Sequence, residues 1–70
     1  MSNMKIFFAG RDDAFVGSKK MEINGKQISS LEELVSELNK STDQFVTLYE
    51  PSRFETMVVN KNLISNILVR

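Results

Sequence analysis

Seventy residues with nine basic and nine acidic side chains carry no net charge, which argues against a strong electrostatic grip on nucleic acid or an anionic membrane, and equally against acidic mimicry of DNA. Cysteine and histidine are both absent, so disulfides and the ordinary zinc and haem sites are excluded and no cofactor is expected. A chain this short forms one domain, residues 1–70, and buries only about 60% of its unfolded surface; of the usual reinforcements for so small a core, oligomerisation is the one left.

Lys5–Ala9 reads as a first strand, because Ile6, Phe7 and Phe8 are strand formers and Gly10 ends the run. Arg11–Ala14 is a polar loop. A second strand begins at Phe15-Val16, with a bulge or bend at Gly17-Ser18. Met21 and Ile23 alternate with Lys20 and Glu22, and Asn24-Gly25 then favours a type I′ hairpin closing on Lys26–Ile28.

Ser29-Ser30 opens a helix over about 30–40. Ser30 with Glu33 makes a capping box, and Leu31, Leu34, Val35 and Leu38 fall on one helical face that should pack on the sheet. Gln44–Glu50 and Arg53–Val59 are strands of an antiparallel hairpin, turning at Pro51-Ser52 with Pro51 at the second position of the turn. Asn60–Asn62 is a turn. In Leu63–Val69 helical spacing competes with β-rich composition; a short turn followed by a last strand is expected. The fold class is α+β: a small twisted antiparallel sheet of about four to five strands with one amphipathic helix on one face, in the order β-β-(β)-α-β-β-(β).

The strands have more apolar surface than one helix covers. In Gln44–Glu50, Phe45, Thr47 and Tyr49 fall on one face and Val46 and Leu48 on the other. In Phe54–Val59, Phe54, Thr56 and Val58 oppose Met57 and Val59. This surplus implies a partner protein, a second copy as a homodimer, or a sheet curled into a small barrel. The residues expected at such an interface are Phe45, Tyr49, Arg53, Phe54 and Met57, since aromatic residues, Met and Arg are enriched in buried contacts.

Other constellations carry less. Arg11, Asp12 and Asp13 are adjacent and point apart, which suits a solvated turn better than a metal cage. Gly17-Ser18-Lys19-Lys20 lacks the order, spacing and following helix of a phosphate loop; its lysines suit an exposed edge. Glu50, Arg53 and Glu55 flank the Pro51-Ser52 turn as a charged hairpin tip or a polar contact cluster. The aromatics Phe7, Phe8, Phe15, Phe45, Tyr49 and Phe54 raise an alternative, a nucleic-acid-binding sheet, which requires Lys5, Lys19, Lys20, Lys26 and Lys61 to cluster.

No catalytic constellation is expected, because without histidine or cysteine acid–base work falls to carboxylates, lysine or Tyr49. No apolar run reaches about 18 residues, and the apolar stretch near the start is too short for a secretory signal, so a cytoplasmic location is expected. Lysine, asparagine and isoleucine usage fits a low-GC bacterium or its phage. The expected function is that of a non-enzymatic interaction module, a regulator, inhibitor or assembly factor, docking through an apolar sheet face or a β-edge.

Overall fold

The computed structural model describes residues 3–70. Among them the chain runs through β1 (Met4–Phe8), β2 (Ala14–Gly17), β3 (Glu22–Ile23), β4 (Lys26–Gln27), α1 (Leu31–Lys40), β5 (Phe45–Glu50), β6 (Glu55–Asn60), a 3-10 turn at Lys61–Leu63 and β7 (Ile64–Val69). The domain is α+β, as its pattern of elements implies. The single sheet expected from the sequence is instead two antiparallel sheets, ordered β2-β1-β7 and β4-β3-β5-β6.

The two sheets arise from a corner after β6. The Lys61 amide donates to the Gln44 carbonyl at 2.9 Å, still in the ladder of the larger sheet. Two residues on, the Leu63 carbonyl accepts from the Ala9 amide at 2.7 Å, in the smaller one. The Asn60 side chain caps the corner by accepting from the Asn62 amide at 2.9 Å. The segment whose period was ambiguous continues as β7, with its pairing to β1 shifted between Phe7 and Phe8 so that Ser65 is left over. That extra residue breaks the strict alternation of a strand and accounts for the mixed pattern read there.

Five of the seven strands give buried residues to a shared core, β7 packs Ile64 and Ile67 against it, and β4 is exposed. Met4, Ile6 and Phe8 of β1, Phe15 of β2, Ile23 of β3, Val46 and Leu48 of β5 and Val59 of β6 are buried, with Met21, Ile28 and Leu34 between them. The larger sheet is pinned by the Asn24-Gly25 turn, whose residues have φ of 52° and 83°, as a type I′ turn requires. Asn24 also binds the middle of β5: its amide donates to the Thr47 carbonyl at 2.8 Å, and its Oδ1 accepts from the Thr47 amide at 2.9 Å.

The helix begins where the capping pattern places it. Ser30 Oγ accepts from the Glu33 amide at 3.2 Å, and Glu33 Oε1 accepts from the Ser29 hydroxyl at 2.6 Å. Its apolar stripe does not all go inside, contrary to expectation. Leu34 is buried and Leu38 packs against the core, whereas Leu31 and Val35 remain 37% and 41% exposed. With two sheets already covering one another, the helix seats only one edge of its stripe.

Gly17, at the end of β2, is buried against Met21. A Cβ built on Gly17 collides with Met21 Sδ and comes within 3.2 Å of its Cβ. Met21 has no exposed surface and little room to retreat. Gly17→Ala is therefore expected to lower stability by about 1–3 kcal/mol through overpacking, measured as a shift in urea midpoint at constant slope.

Candidate functional site

The outward rows of β5 and β6 make a surface free of helix and sheet cover. Register places Phe45 opposite Asn60, Thr47 opposite Val58, and Tyr49 opposite Thr56, with Glu22 of β3 on the other side of Tyr49. Val46, Leu48 and Val59 take the alternate positions and are buried, so the period of two sends Phe45 and Val58 into solvent at 57% and 64% exposure. Tyr49 is half-buried in the same row.

At the end of this surface the hairpin turns through Pro51–Phe54. The Arg53 amide donates to the Glu50 carbonyl at 3.3 Å, so Pro51 occupies the second position of a four-residue turn, where its fixed φ fits. A further residue follows before β6 begins. Phe54 has φ of 49°, in the left-handed region, and its side chain is 85% exposed. Glycine or asparagine is the usual occupant of such a position, and a bulky residue there costs roughly 1–2 kcal/mol.

The tip is held by Glu50, which is not part of a surface charge cluster. It continues the inward row of Val46 and Leu48 and has no exposed surface. One oxygen accepts from the Ser18 amide at 2.7 Å. The other accepts from the Ser18 hydroxyl at 2.8 Å, the Ser52 hydroxyl at 2.5 Å and the Ser52 amide at 3.1 Å. Burial pushes the carboxyl pKa upward, but these four donors favour the ionised form more strongly and hold it at about 2, below its ordinary 4.5. The parity of β5 was the signal in the sequence: position 50 shares a face with 46 and 48. Its hydroxyl partners come from 32 residues upstream and from the turn.

Arg53 is fixed in turn. Its guanidinium bonds Glu55 Oε1 at 2.9 and 3.2 Å and also donates to the Val16 carbonyl of β2. The structure thus assembles four of the five sequence-predicted residues along one hairpin: Phe45 and Tyr49 on the outer row, Arg53 and Phe54 at the tip. Met57 does not join them. It pairs with Leu48 on the inward row and packs against the core. Val58, whose outward position followed from alternation with Met57 and Val59, is a more exposed member of the surface.

The other constellations are placed as follows. Arg11 makes a two-point ion pair with Asp13, at 2.8 and 3.0 Å, and its guanidinium lies 5.8 Å from the Phe8 ring. Among the described residues no three potential metal ligands come together. Lys26 is tied to Glu37 of the helix at 2.9 Å, and the Lys61 amine donates to the Leu38 and Ser41 carbonyls at the helix end. Two of the five lysines required for a phosphate-binding surface are therefore engaged elsewhere. No helix among the described residues is long and apolar enough to cross a membrane. No family model, curated protein or solved structure matches the chain.

Two outcomes follow from the tip. A carboxyl whose pKa falls on folding contributes stability that is complete above its unfolded value. Glu50 should therefore contribute on the order of 3 kcal/mol above pH about 4.5, lost as pH drops toward about 2, and Glu50→Gln should flatten that part of the pH–stability curve and destabilise the neutral-pH protein. Phe54→Gly should raise stability by about 1 kcal/mol, because glycine relieves the left-handed strain and little packing is lost; chemical denaturation checks both.

Proposed function

We propose that this chain is a small non-enzymatic interaction module, a regulator, inhibitor or assembly factor, that docks on another protein through the β5–β6 hairpin. The contact surface is the outer row of Phe45, Tyr49 and Val58 together with the tip at Arg53 and Phe54. The observation that carries this reading is Phe54. A large aromatic side chain stands 85% exposed on a backbone conformation that glycine adopts at lower cost. Local stability disfavours phenylalanine there, and strain kept at an exposed site points to function.

The neighbouring features support the same reading. The Glu50 lock and the Arg53 bonds hold the tip in place before any partner arrives, which reduces the ordering cost of binding. Aromatic side chains beside an arginine match the composition of binding hot spots. Phe45 and Val58 extend the apolar contact along the sheet without serving the core.

The test uses the strain itself. Phe54→Gly should be at least as stable as the wild type yet retain a partner poorly, with binding weakened by about 2 kcal/mol or more. Quantitative affinity capture from the native cytosol, with wild type, Phe54→Gly and Phe45→Ser as parallel baits, measures this. Proteins held equally by all three baits, or by none, would sink the reading.

A further inference from the structure

Of the six asparagines only Asn24 is followed by glycine. That pair carries a chemistry of its own. The amide nitrogen of the next residue can attack the side-chain carbonyl carbon of asparagine, and glycine, with no side chain, obstructs the approach least. Asparagine counts among the thermolabile residues. The other five precede methionine, lysine, leucine or isoleucine, whose side chains crowd the same path. Asn24 and Gly25 are both exposed, and the Gly25 amide makes no hydrogen bond among the described residues.

The seat of the Asn24 side chain opposes this reaction. The β3–β5 ladder pairs Glu22 with Tyr49 and Ile23 with Leu48. At the next position the Asn24 amide donates to the Thr47 carbonyl at 2.8 Å. The Thr47 amide returns its bond, at 2.9 Å, to Asn24 Oδ1 and not to a main-chain carbonyl. The side chain thus extends the ladder in place of a backbone carbonyl, which the turn has carried away. Of the two carboxamide atoms only the oxygen can accept, so the orientation of the group is fixed. Bond formation between Cγ and the Gly25 nitrogen requires the carboxamide to rotate off Thr47.

We propose that Asn24 is a site of spontaneous deamidation gated by the β3–β5 pairing, unreactive while its bonds to Thr47 are closed and reactive when they open. In the open state the Gly25 nitrogen gives its proton to hydroxide and attacks Asn24 Cγ. The Cγ–Nδ2 bond breaks, Nδ2 takes a proton from water and leaves as ammonia, and a cyclic imide remains. Water then adds to one of the two imide carbonyls. Cleavage of the new Cγ–N bond leaves aspartate. Cleavage between the original main-chain carbonyl carbon and the nitrogen leaves isoaspartate, whose main chain is lengthened by Cβ. No oxidant or reductant is needed.

The two products differ in their effect on the fold. Aspartate keeps an oxygen for the Thr47 amide and, like asparagine, tolerates the positive φ. Isoaspartate puts an extra carbon into a turn that links Ile23 directly to its partner Lys26. The strands it joins carry Ile23 and lead to Ile28, neither of which has exposed surface. A transient opening of the larger sheet is thereby converted into a lasting covalent break in its hairpin. The inference is independent of the docking reading, since it uses no side chain of the β5–β6 hairpin.

The full chain is incubated in mildly alkaline buffer, folded and in urea, and followed by isoelectric focusing and by peptide mapping with an isoaspartyl-specific methyl label. Each event takes the net charge from zero to minus one. The acidic form and the label should both map to Asn24, and should accumulate at least about tenfold more slowly in the folded chain, because only the open fraction reacts. Ile23→Val, which trims a buried side chain of β3 and leaves the chain folded, should speed the folded reaction about threefold. Asn24→Asp has no ammonia to lose and should show no charge step. In the isoaspartyl fraction the Thr47 amide should lose its protection from hydrogen exchange. Equal rates in buffer and urea, an Ile23→Val rate no faster than wild type, an acidic form that arises as fast in Asn24→Asp, or a Thr47 amide still protected in the isoaspartyl fraction overturns the proposal.

Discussion

Glu50 sits at the end of β5 with no surface in water and four donors around its two oxygens. A carboxylate removed from water is strongly destabilised unless its lone pairs are satisfied, and charge-assisted bonds from amides and hydroxyls are among the stronger ones available. Two of the donors belong to Ser18, just past β2 of the smaller sheet. The other two belong to Ser52, in the hairpin turn of the larger sheet. Ionisation of one side chain therefore couples the closure of the sandwich to the shape of the tip. Arg53 adds a second tie across the same gap by reaching the Val16 carbonyl, and Phe54 is left outside, 85% exposed.

The excess of apolar surface is resolved by geometry. A strand can send only alternate side chains to a given side, so two sheets facing each other bury one row from each and leave the other row outside. Here the inward rows close around Phe15, Leu48 and Ile23, and the outward rows keep Phe45 and Val58 in solvent. The helix is then left to cover an open side, not a full face. Leu34 and Leu38 suffice for that, which is why Leu31 and Val35 remain exposed. The apolar surplus among the described residues is thus divided between the outer face and tip of β5–β6, the flank of the helix, and Leu63, Leu68 and Val69 in and just before β7.

Much of the local structure was legible because it depends on neighbouring residues. The Asn24-Gly25 turn, the Ser30 cap, the helix span and the two faces of β5 follow from φ preferences, capping chemistry and a period of two, all encoded within a few positions. Phe45, Tyr49, Arg53 and Phe54 could be singled out on the same grounds. The sequence by itself also determined that no disulfide or ordinary zinc site holds the domain. Only the tertiary structure decided that there are two sheets, because the corner at Lys61–Leu63 depends on which distant carbonyl and amide each residue meets. It likewise decided that Glu50 lies inside, since its donors lie 32 residues upstream and within a turn; that Met57 belongs to the core; and that Phe54 carries positive φ. These are consequences of long-range pairing, and pairing is settled by the whole chain folding against itself.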